Sequence, residues 1–164
     1  MAWFPASCSA QSLNWSPDRL LSWDDFQGIP QPAGEEAAHI DCGIICSLEK
    51  VNIWTGRPRY AVSSYMNPQS SWVDPEQMSD PLLAHEQLHF DMAEWYAVKI
   101  RRALSARGVT VKRGEEILTR LLQEFDHAQT QYDLDTNHGR LSTVQSRWTE
   151  QVQNGLAPFH HPGK

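Results

Sequence analysis

An α+β domain, with a small antiparallel sheet packed on about three helices, is the fold class that the sequence predicts. Three observations predict it. Apolar residues alternate at Ile40, Cys42, Ile44, Cys46 and Leu48, and alternation resumes from Arg59 to Met66 after the turn residues Thr55-Gly56-Arg57-Pro58, as an antiparallel pair requires. Leu88, Met92, Tyr96, Ile100 and Leu104 recur every four residues, and Ile117, Leu118, Leu121, Leu122, Phe125, Ala128 and Tyr132 keep helical spacing. The 164 residues suffice for one domain with a real core, and 40% hydrophobic residues with seven tryptophans argue against disorder. We expect a single domain over 1–154, opening with an irregular leader over 1–36 and followed by a flexible tail over 155–164.

The leader is dense in aromatic and turn residues: Trp15, Trp23-Asp24-Asp25-Phe26, Gly28, Pro30 and Pro32. Such punctuation excludes a long helix, and the tryptophans favour a docked segment over a free pro-segment. Residues 37–54 read as one long strand and 59–66 as its partner. A loop over 67–73 leads to the first helix, whose start is marked by Asp80 as N-cap with Pro81 at the first helical position. Arg101, Arg102 and Arg107 suit its C-terminus and Gly108 closes it. The second helix runs from Gly114 to Tyr132, and Asp133 to Gly139 break the period with turn formers. Ser142 with Gln145 has the form of a capping box for a third helix, with Val144, Trp148 and Val152 inward. Trp72 suits either the core or a cleft wall, and the tail with His160-His161 is expected in solvent.

Charge and cysteine usage exclude several classes. The net charge of -6 has no basic block to oppose it, so nucleic acid or an anionic membrane surface is not the expected partner. No apolar run is long enough for a membrane span, and Met1 to Cys8 lacks the basic and apolar regions of a signal peptide. The three cysteines, Cys8, Cys42 and Cys46, do not form a disulfide scaffold. Cys42 and Cys46 lie about 13 Å apart along a regular strand, too far to bridge, and read as small hydrophobes.

Chemistry is concentrated at His85-Glu86-Gln87-Leu88-His89. On a helix, positions i and i+4 share a face, so His85 and His89 can grip one metal ion while Glu86 stands beside them as a general base. Two histidines bordering an apolar stripe are costly unless a metal satisfies them. A catalytic zinc needs a third ligand. His138 is the first choice, because Gly139 lets the loop backbone approach the metal helix. Asp135 could ligate instead, and Asp133 could ligate or orient a histidine ring. Glu124 and His127 are further alternatives, whereas Glu94 lies too far around the helix.

The run Leu21 to Gly28 with Trp23-Asp24-Asp25-Phe26, then Ala37-Ala38, His85 to Glu94, Tyr132-Asp133-x-x-Thr136-x-His138-Gly139 and Gln145-x-x-Trp148 resembles the DUF922 family of bacterial predicted zinc-dependent proteases. The resemblance implies a small zincin-like metallopeptidase domain, secreted or periplasmic, with the His-Glu-x-x-His helix as active site. It also implies that Tyr132, Asp133 and His138 belong to that site.

The expected reaction is hydrolysis of a peptide or protein substrate. Zn2+ held by His85, His89 and a third ligand would lower the pKa of its water from ~15.7 towards ~7, and Glu86 would take the proton. Tyr132 or His138 would serve as donor to the oxyanion, and a strand bordering the cleft could bind extended substrate. Two alternatives remain open: a non-catalytic binding or assembly module with a closed, four-ligand zinc, and a hydrolase of a non-protein amide such as cell-wall peptide.

Overall fold

A computed structural model of the chain describes residues 12–30 and 36–159. Cys8, Pro32 and the His160-His161 pair lie outside the described residues. The architecture is α+β, a small antiparallel sheet with three helices.

The hairpin joins β3 (Cys42–Val51) to β4 (Pro58–Met66), from Cys42 opposite Met66 to Val51 opposite Pro58. Residues of the leader contribute β1 (Leu13–Asn14) to the far side of β4, so the order is β1-β4-β3. The continuous strand expected over 37–54 is interrupted. Ala38–His39 form β2, which pairs instead with β5 (Trp72–Val73). Asp41 explains the break, because its backbone bonds to the following loop: its N–H donates to Ser71 Oγ at 2.9 Å and its carbonyl accepts Asn67 N–H at 2.8 Å. Neither group is left for a strand ladder.

Helix α1 (Asp80–Ser105) lies across the hairpin and packs on α2 (Val111–Thr136) and α3 (Ser142–Leu156). Its N-cap is Ser79, whose Oγ accepts Leu82 N–H, one residue earlier than Asp80-Pro81 suggested. Its predicted stripe is buried throughout: Leu88, Met92, Tyr96, Ile100 and Leu104. Two apolar clusters clamp α1 and α2. One surrounds Ile100, Leu104, Ile117 and Leu121, and the larger gathers Leu88, Met92, Phe125, Tyr132 and Val152.

The described part of the leader is docked on the back of α1. Leu21 and Phe26 enter the core, Trp15 Nε1 donates to Asp91 at 2.8 Å, and Leu21 N–H donates to Gln87 Oε1 at 2.8 Å. Trp72 is buried as well, stacked on His39. Helix α3 is capped by Leu141 with no side-chain bond, so the Ser142 capping box does not form, and the helix continues to a buried Leu156.

Candidate metal centre

His85 and His89 sit one turn apart on α1, and the burial of both follows from their position beside its apolar stripe. Their Nε2 atoms are 3.2 Å apart. Asp133, in the last turn of α2, brings Oδ1 to 3.1 Å from His85 Nε2 and 2.8 Å from His89 Nε2. Three Lewis bases thus converge, all within 4.8 Å of one another, and this group could hold a metal ion.

The donor chemistry fits a cation better than it fits protons alone. Burial pulls the His85 imidazole below its ordinary pKa, favouring the neutral ring with its single N–H, and its Nδ1 is buried without a partner. Burial also opposes the charge of His89, but the adjoining Asp133 carboxylate wins and raises it. Asp133 in turn is held well below the usual carboxylate range, because the two histidine bonds outweigh its burial. A divalent ion would satisfy two imidazoles and a carboxylate at once, and this donor set suits a borderline metal.

Each ring is fixed from behind. His85 lies between Tyr132, stacked at 4.5 Å and 23°, and the backbone of Gly139, where a Cβ would stand 3.0 Å from His85 Cβ and Cγ. His89 Nδ1 is 2.7 Å from Gln129 Oε1, and Gln129 Nε2 donates to the His89 carbonyl at 3.3 Å. That amide makes Nδ1 the donor and turns the Nε2 lone pair towards the centre. Gln129 does not stand out in the sequence, because a neutral amide carries no metal signal. Its place four residues before Asp133, hence on the same helical face, is the clue that could have found it.

Glu86 is only 3% exposed, yet its carboxylate borders a cleft of about 310 Å³ shared with His89, Asp133, His39 and His138. Burial, aided by Asp133 and Glu36, pushes its carboxyl up to about 7, against the opposing pull of His89 and of the Ile40 N–H that it accepts.

The other candidates are placed differently. His138 lines the cleft with Nδ1 4.0 Å from Asp133 Oδ1, outside the converging trio. Asp135 is turned to α3, accepting from Trp148 Nε1 at 3.1 Å and from Gln131 at 2.6 Å. Tyr132 is fully buried, its hydroxyl 3.5 Å from the His85 carbonyl oxygen, and it does not line the cleft. Its ring supports both histidines, so the structure places Tyr132, expected as an oxyanion donor, behind the imidazoles and not on the cleft wall. Glu94 bonds Ser64 and Arg101 beneath the sheet, Glu124 pairs with Arg120, and His127 is exposed.

Three successive residues, Asn137, His138 and Gly139, take positive φ values of 50°, 52° and 79°. For histidine this region is sparsely populated. Thr136 holds the reversal, donating from Oγ1 to the Tyr132 carbonyl at 2.7 Å and accepting Gly139 N–H at 3.2 Å.

Gln129→Leu is expected to weaken metal binding by about 10–100-fold while the helices persist, because the amide's bonds to the His89 ring, the His89 carbonyl and Cys42 Sγ are lost and the packing of α1 on α2 is not. Competition against a chelator of known affinity measures it, and unchanged affinity would remove Gln129 from the centre.

A family sequence model described as "Bacterial protein of unknown function (DUF922)" matches residues 50–139. No curated protein and no solved structure matches the chain.

Proposed function

This chain belongs to the DUF922 family of bacterial proteins of unknown function, and for it we propose a function: hydrolysis of peptide bonds by a zincin-like metallopeptidase whose zinc is held by His85, His89 and Asp133. One observation carries the reading. The two imidazoles of a His-Glu-x-x-His helix converge with a carboxylate from a second helix, and the Glu of that same motif lines the adjoining cleft.

Bound there, zinc would supply Lewis acidity, lowering the pKa of a water and stabilising negative charge on a carbonyl oxygen. Three protein ligands are the complement of catalytic zinc sites, which keep a position open. Glu86 supplies the proton traffic. With a carboxyl pushed up to about 7, it can accept a proton from a water in the cleft and return it to the leaving amine as the C–O bond forms and the C–N bond breaks. His138, on the cleft wall, stands where it can donate to the substrate carbonyl oxygen. Tyr132 and Gln129 hold the two rings in place and touch no substrate.

A second reading is a structural zinc closed by His138 as fourth ligand, favoured by its 4.0 Å approach to Asp133. Elemental analysis of protein purified without a His-tag separates the two. The peptidase reading expects one zinc per chain, lost in Asp133→Ala and kept in His138→Ala. Loss in both variants favours the closed site, and no metal even after adding zinc ends both readings.

A further inference from the structure

The turn between β3 and β4 exposes two large apolar side chains side by side, Ile53 and Trp54, each 88% exposed. Val51, just behind them, is exposed as well. This tip is built rigidly. Asn52 Oδ1 accepts the N–H groups of Trp54 and Thr55 at 2.9 Å, the Asn52 carbonyl accepts Gly56 N–H at 2.8 Å, and Arg57 Nη2 donates to the Ser105 carbonyl at 2.8 Å. Exposure of the apolar pair is therefore held in place by bonds and is not a fraying of the hairpin.

Behind the tip lies a cleft of about 470 Å³ whose lining includes Lys50, Arg57, Arg59 and Arg101 and no acidic residue. Two of these cations are compensated, Arg59 by Glu49 and Arg101 by Glu94. Lys50 pairs with no carboxylate among the described residues, and Arg57 meets only a neutral carbonyl. The four cations come from two strands, a turn and a helix, so the fold gathers a basic surface that the chain's net charge of -6 conceals.

We propose that the β3–β4 tip is a membrane-surface anchor, with Ile53 and Trp54 entering the acyl boundary of an anionic lipid layer and Lys50 and Arg57 among its headgroups. Lipid yields around a projecting apolar tip, and tryptophan is suited to the boundary because its ring is apolar at one end and polar at the other. Strands rise ~3.3 Å per residue, so a tip sunk ~5–10 Å sets residues a few positions back at headgroup level. Charge complementarity selects anionic lipid over neutral lipid.

Co-sedimentation with vesicles tests this, using equal parts phosphatidylcholine and phosphatidylglycerol against phosphatidylcholine alone. The wild-type chain should pellet with the anionic vesicles, and added salt should release it. The double variant I53S/W54S should bind at least tenfold more weakly, and K50E should lose affinity by about fivefold or more. Both should keep the wild-type circular dichroism, since the side chains are exposed. Failure to pellet with anionic vesicles at low salt, equal binding to neutral ones, or full binding by I53S/W54S would each overturn the proposal. So would an oligomer, seen by sedimentation velocity without lipid, that I53S/W54S dissolves, because the tip would then be a contact between copies of the chain.

Discussion

On the peptidase reading proposed above, Glu86→Gln protein is expected to bind zinc as the wild type does and to lose peptide hydrolysis by about 10²–10⁴-fold, the range over which a positioned acid–base group contributes. The amide is nearly the size and shape of the carboxylic acid and its carbonyl can still accept Ile40 N–H, so the helix and the three ligand atoms stay where they are. Only the ability to take and return a proton disappears. Metal content and hydrolysis of a generic peptide substrate, measured on the same preparation, check both halves. Retained hydrolysis would refute Glu86 as the base.

The same variant carries a stability signature in the metal-free protein. The folded carboxyl is raised from 4.5 to about 7, so in that window the folded chain binds a proton that the unfolded chain has released. The stabilising contribution of Glu86 is fully present below 4.5 and is lost as pH rises through 7. Across the window it amounts to on the order of 3 kcal/mol. Glutamine cannot ionise, so urea unfolding on either side of the window should show a flatter pH dependence than wild type. An unchanged slope would mean that Glu86 is not held in a desolvated state.

His85→Ala is expected to lose metal and hydrolysis together. Nε2 of His85 is one of three converging donors, and a zinc site does not survive on two. The ring is also a structural slab between Tyr132 and Gly139, so its removal opens a cavity costing about 2–5 kcal/mol. The value should fall toward the lower end, because the unpartnered buried Nδ1 goes with the ring. Elemental analysis and urea unfolding measure the two effects. Zinc retained at the wild-type level would exclude His85 as a ligand.

Much of this arrangement was legible because it depends on period. The stripe from Leu88 to Leu104 and the pairing of His85 with His89 follow from helical geometry, and the hairpin follows from alternation on either side of Gly56. What escaped depends on where polar residues send their bonds. The turn-forming residues Asp133 to Gly139 predict a helix ending at Tyr132, but Thr136 bonds within the helix and carries it one turn further. That extra turn aims Asp133 at α1, whereas His138, ranked first for its imidazole, comes after the chain has reversed. The break at Asp41 and the cap at Ser79 are likewise decisions of single backbone bonds, on which composition is silent.

The converging donors on α1 and α2 are far apart in the chain, His89 and Asp133 being separated by 44 positions. Closing so long a loop costs chain entropy whichever bond closes it. Here the two apolar clusters between α1 and α2 already close it. An arriving ion therefore meets a preassembled vise, and its binding energy is not consumed in ordering the polypeptide, as it is in small zinc domains that are unfolded without metal. Its affinity is set instead by the donors themselves and by competition with protons for His89, whose charged form the Asp133 carboxylate favours.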